Sequence, residues 1–85
     1  MEPMIKAEVV REKSFDPHFM VKVSYDDGIN KFTNEIVEVE RKPPRVKFYY
    51  PDTINRIIDK IDLKKIEIEI LKAIVESLLS SASRY

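Results

Sequence analysis

Side chains that could do chemistry are few in this 85-residue chain, and they are scattered. There is one histidine, His18, close to Asp16; there is no cysteine, and Gly28 is the only glycine. His18 and Asp16 together offer two ligands, short of the three or four protein ligands a bound zinc requires. His18 reads more simply as a surface residue opening a strand. Asp26-Asp27 precede Gly28, where a turn accounts for both carboxylates. Glu67 falls toward the apolar side of a helical stretch. It is either a buried acid of shifted pKa or an exposed acid in a first turn, where the helix dipole favours it. The sequence holds no glycine-rich phosphate loop and no zinc-ligand spacing. The expectation is a protein with no catalytic residues, no cofactor and no metal.

One stretch does combine charge with flat side chains. Arg41, Lys42, Arg45 and Lys47 run into Phe48-Tyr49-Tyr50, the only place where basic and aromatic residues interleave. Single-stranded nucleic acid is held by such a combination, cations for phosphates and rings for bases. Arg41, Lys42, Arg45, Lys47 and Tyr49 are therefore the candidate nucleic-acid-binding residues. Against this, lysine plus arginine equals aspartate plus glutamate at 15 each, so the chain lacks the cationic excess of a general polyanion binder. The imbalance is local. Residues 41–50 carry four bases and no acid, whereas residues 1–40 carry nine acids and five bases.

The elements that position these residues follow from periodicity. Met4–Lys13 and His18–Tyr25 alternate apolar and polar as strands do. Pairing them aligns Ile5 with Tyr25, Ala7 with Val23 and Val9 with Val21, and sets Glu8 beside Lys22 on the other face. Asp27-Gly28 reads as a two-residue hairpin turn leading to a third strand, with Phe32 facing Val23. Straight alternation from Phe32 would turn Val37 and Val39 outward, so a β-bulge is expected near Thr33-Asn34. The fourth strand is Arg45–Tyr50. A four-residue corner about Pro43-Pro44 would align Val39 with Val46 and Val37 with Phe48, and set Glu40 against Arg45 and Glu38 against Lys47. In that register two of the four cations are answered across the hairpin, leaving Arg41 and Lys42 at the corner.

Helical spacing takes over after Pro51. Asp52 or Thr53 can cap a short helix through Lys60, with Ile54, Ile57, Ile58 and Ile61 on one stripe. Asp62 can cap a longer helix from Leu63 to about Ser80. Ile66–Ile70 also alternates as a strand would, but three- and four-residue spacing persists to Leu79, which favours helix. The fold class expected is α+β: a four-stranded antiparallel meander over 4–50, a helical segment over 52–80 packed on one face, and a frayed tail at 81–85, all in one small domain.

The apolar arc of the long helix is wider than one sheet face covers. Ile68, Leu71, Val75, Leu78 and Leu79 are the candidate interface for a second copy of the chain. The plainer alternative is that the segment 53–61 folds back over them. Phe15, Met20, Val10, Tyr49 and Ile36 could add an apolar patch on the outer side of the sheet. Abundant Lys, Glu and Ile with no Cys and no Gln suggests a thermophile. No signal peptide or membrane span is evident, so a cytoplasmic location is expected. The functional expectation is a small homodimeric interaction module, the alternative a nucleic-acid-binding accessory protein.

Overall fold

The computed structural model describes residues 2–82. The architecture is α+β. Strands β1 (Met4–Val9), β2 (His18–Asp26), β3 (Lys31–Lys42) and β4 (Arg45–Tyr49) form one antiparallel sheet in the order 1-2-3-4. A short helix α1 (Asp52–Asn55) and a long helix α2 (Leu63–Ala82) follow. A 3-10 turn at Arg11–Lys13 joins β1 to the approach to β2. Helix α2 runs on through Ala82, past its expected end near Ser80; the rest of the expected frayed tail, residues 83–85, lies outside the described residues.

The first hairpin has the expected register, with Ile5 opposite Tyr25, Ala7 opposite Val23, Glu8 opposite Lys22 and Val9 opposite Val21. The bulge also lies where parity requires it. Val23 faces Glu35 and Tyr25 faces Phe32, so Ser24 stands against both Thr33 and Asn34. Asn34 takes a positive φ of 54° there, a conformation its short polar side chain tolerates better than most. Its backbone N–H donates to Ser24 Oγ at 2.9 Å, which satisfies the group the bulge takes out of the ladder.

Two connections differ from expectation, each by two residues. The β2–β3 loop spans four residues, with Asp26 opposite Lys31, so Phe32 faces Tyr25 rather than Val23. Asp27 Oδ1 accepts from the N–H groups of Ile29 and Asn30 at 2.8 and 2.6 Å, and a local turn of that kind outcompetes the tight Asp-Gly hairpin. The β3–β4 connection is the reverse case. Lys42 faces Arg45, leaving only Pro43-Pro44 in the turn, with a cis bond between them. Prolines lack an N–H to give the ladder, so they fit the two central turn positions, whereas Arg41 N–H is used, donating to Pro17 O at 2.7 Å. Val39 therefore faces Phe48, Glu40 faces Lys47, Arg41 faces Val46 and Glu38 faces Tyr49.

α1 is shorter than expected. Pro51, not Asp52 or Thr53, is its N-cap, and helix ends at Asn55. Bonds from Ile57 N–H to Ile54 O and from Lys60 N–H to Ile57 O continue the segment as tight turns. α2 is helical throughout the stretch that also alternates as a strand. Asp62 Oδ1 accepts from Lys65 N–H at 3.2 Å, an N-cap bond that satisfies one of the donors a helix start leaves open.

α2 lies along β1 and reaches β2, while α1 packs on β3. Between the layers Val21, Val23, Val37, Val39, Ile54, Ile66 and Ile70 are fully buried, with Ile74 nearly so. Ile66, Ile70 and Ile74 recur every four residues, which makes them the core-facing ridge of α2. No helix among the described residues is long and apolar enough to cross a membrane.

Candidate functional site

Among the described residues no helix covers the outer face of the sheet, and four of the five candidate nucleic-acid-binding residues meet there. Arg45, Lys47 and Tyr49 alternate along β4 on that face, and Lys42 stands opposite Arg45 at the tip. Lys42, Arg45, Lys47 and Tyr49 are all exposed. Arg41 is not with them. It shares the inner parity with Val39 and Val46, and its guanidinium meets Asp16 at 3.3 Å.

The observed register changes the charge balance of this patch. Glu40 lies opposite Lys47, not Arg45, and its carboxylate is 3.7 Å from Lys42 Nζ and 4.0 Å from His18 Nδ1. Arg41 and Lys42, expected to be free at the corner, are the two that have ion-pair partners. Arg45 faces another cation, and neither Arg45 nor Lys47 makes an ion pair among the described residues. The cause is the two-residue shift at Pro43-Pro44: the same side chains stay on the same faces but meet different partners.

The remaining candidate side chains make contacts within the fold. His18 faces Glu40, with the Phe15 ring edge-on at 6.0 Å, while Asp16 turns to Arg41. Among the described residues no three potential metal-ligating His, Cys, Asp or Glu side chains cluster. Asp27 accepts from Tyr25 Oη at 2.8 Å, and Tyr25 Oη itself accepts from Asp62 N–H at 3.2 Å. This chain of bonds ties the β2–β3 loop to the start of α2. The backbone N–H groups of Asn30 and Ile29 hold the Asp27 carboxyl below the usual carboxylate range. Burial, foremost, raises the Tyr25 phenol.

Glu67, the acid expected in a buried or a first-turn setting, is half-buried and accepts from Tyr50 Oη at 2.7 Å. Burial pushes the Tyr50 phenol well above its ordinary value, and the Glu67 carboxylate adds to the effect. The Tyr50 ring stacks on Phe48 at 6.2 Å, so the pair fastens the end of β4 to α2. Contacts such as Tyr50–Glu67 and Tyr25–Asp62 join residues 17 and 37 positions apart, and no local pattern announces them.

The helix candidates divide. Ile68, Val75 and Leu79 are 54%, 52% and 63% exposed, Leu71 is half-buried, and Leu78 packs against the core. At 100° per residue the first three lie roughly opposite the Ile66-Ile70-Ile74 ridge. The segment 53–61 therefore does not fold over them: Ile54 is buried in the core, and Ile57 and Ile61 pack against it. On the outer sheet face Ile36 and Tyr49 are exposed and Val10 and Met20 half-buried, with Phe15 exposed at the corner.

The chain matches no known protein family, no curated protein and no solved structure.

Proposed function

We propose that the chain is a non-catalytic interaction module that pairs with a second copy of itself through the solvent face of α2. The observation that carries this reading is the exposed stripe Ile68, Val75 and Leu79, set at seven- and four-residue steps on the side of α2 away from the sheet. Such spacing keeps apolar side chains along one seam, where a copy of the helix can cover them. The absence of cysteine and the abundance of Lys and Glu support a thermophile's cytoplasm as the setting, where oligomerisation stabilises small domains. Sedimentation equilibrium tests the pairing. Wild-type protein is expected to be dimeric and Val75→Glu to weaken that association at least about tenfold, the effect of burying an unpaired charge. A monomer at high micromolar concentration overturns the reading.

One observation favours a second reading, an accessory protein for single-stranded nucleic acid. Arg45 and Lys47 stand beside the exposed Tyr49 without an ion-pair partner among the described residues. Binding of a single-stranded oligonucleotide at low salt, lost in Arg45→Ala plus Lys47→Ala and kept in Arg41→Ala, is the expected pattern. No binding at low salt rejects it.

A further inference from the structure

The two edges of the sheet are built differently. β4, the outer strand on one side, presents Arg45 and Lys47 on its exposed face and follows Pro43-Pro44. Its outward backbone groups are those of Val46 and Phe48, because the flanking pairs 45–42, 47–40 and 49–38 bond inward across a two-residue turn. A copy of β4 laid against it about Lys47 sets Lys47 opposite Lys47, and one laid about Val46 sets Arg45 opposite Lys47. Cations on an edge strand are a recognised guard against such pairing.

β1 carries one charge of each sign, Lys6 and Glu8, on its exposed face in place of two cations. Val10 N–H donates to Met20 O, which makes 10–20 a hydrogen-bonded pair. By the alternation of an antiparallel ladder, Glu8, Lys6 and Met4 also bond inward to β2, and the N–H and C=O groups of Ile5, Ala7 and Val9 point away from the sheet. Nothing among the described residues pairs with them. An open groove of about 580 Å³ runs beside this edge, between Ala7 and Val9 on the strand and Ala73 and Ser77 on α2. The small side chains of Ala7 and Ala73 leave room next to the unpaired backbone.

The sequence of β1 is self-complementary. Its outward residues must face outward residues of any added antiparallel strand. With Ala7 opposite Ala7 of a second copy, Ile5 meets Val9 on the helix side of the sheet and Lys6 meets Glu8 on the other, twice by symmetry. Sliding the copies by one step either way sets Lys6 opposite Lys6 or Glu8 opposite Glu8. Only the central register is attractive, and cross-strand charge pairs discriminate in this way.

We infer that β1 is a second self-association edge, at which a copy of the chain adds antiparallel about Ala7 and extends the sheet to eight strands, the four of one chain plus four from the copy. Ile5 of this edge and Ile68 of the α2 stripe line one pocket, whereas Val75 and Leu79 lie outside it, so the two contacts are neighbours that Val75→Glu tells apart. The test uses Val75→Glu protein, in which the helix contact is broken. That protein is expected to remain dimeric in sedimentation equilibrium, with the Ala7 and Val9 amides slowed in hydrogen exchange as concentration rises. Adding Lys6→Glu sets carboxylate against carboxylate at both symmetry-related charge pairs, and adding Glu8→Lys sets ammonium against ammonium there. Each should weaken dimerisation about tenfold, two pairs changing sign. Glu8→Lys also loses the 3.9 Å contact to Lys22, so both proteins are first checked for native melting. Mixed in equal amounts, the two proteins should associate with each other and recover wild-type affinity, because every carboxylate then meets an ammonium group. A monomeric Val75→Glu protein, a Lys6→Glu change that leaves the dissociation constant unmoved, or a mixture that fails to recover overturns the inference. If Val75→Glu instead leaves wild-type association untouched, the helix contact falls while the edge contact stands.

Discussion

Tyr50 and Tyr25 show how single side chains join layers that the backbone alone would leave apart. Tyr50 reaches from the end of β4 to Glu67 on α2, and its half-buried phenol stays protonated because burial and the neighbouring carboxylate both oppose the phenolate. A group whose folded pKa is raised adds stability below its unfolded value and loses it as pH rises. Tyr50→Phe is thus expected to lower stability at pH 7 by about 1.5–3 kcal/mol, the range for removing a hydrogen bond to a charged group. The variant should also lose less on going above pH 10 than wild type does, which urea melts at pH 7 and pH 11 would compare. Asp27 has the opposite sign. Its folded pKa is depressed by the Asn30 and Ile29 amides, so its contribution is present above the ordinary carboxylate pKa and fades as pH falls through the folded value. In Asp27→Asn the stability loss of wild type below about pH 4 should be smaller. Asp62 is a simpler case: Asp62→Ala removes the cap of α2 and should cost about 1 kcal/mol in the same assay.

At the scale of elements, the faces of the strands were legible in the sequence and their partners were not always so. Thr33-Asn34 had to be a bulge because Phe32 and Val37 both need the core, and a period of two cannot place both there without an extra residue. That argument uses parity alone, and parity survives an even error in loop length. The β2–β3 loop is two residues longer than Asp-Gly suggests and the β3–β4 turn two shorter than Pro-Pro suggests, so Val37, Val39 and Phe48 still face inward while each hairpin's partners change. For the core the difference is slight, since Val39 against Phe48 packs as well as Val39 against Val46. For the candidate site it matters, because charge pairing depends on partner and not only on face: Arg45 exchanges Glu40 for Lys42. Loop length was the missing information, decided by Asp27 accepting two amides and by the hydrogen bond of Arg41 to Pro17 O. The bulge itself gives a prediction. With φ at 54°, Asn34→Gly should leave stability within about 0.5 kcal/mol, whereas Asn34→Val should cost roughly 1–3 kcal/mol in a chemical melt.

For the whole molecule, the question is what stabilises so small a chain. Its described residues form a single two-layer core, one side of the sheet is left open, and there are no cysteines to cross-link it. A domain of this size gains modest net stability from burial alone. Ion pairs contribute little, since each one among the described residues has at least one exposed partner, with Glu2–Lys65 and Lys22–Glu8 typical. The association proposed above would add to this stability, and it has a signature that packing within one chain lacks. When only the folded chain binds its copy, the melting temperature rises with protein concentration. Each 1 kcal/mol gained shifts it by about 4–8 °C for a domain of this size. Calorimetry of wild-type protein across a hundredfold range of concentration should show that rise, and Val75→Glu combined with Lys6→Glu should flatten it while leaving the dilute-limit melting temperature close to wild type. Equal melting temperatures at all concentrations would mean that this single core suffices by itself, and the exposed Ile68, Val75 and Leu79 would then need another partner to cover them.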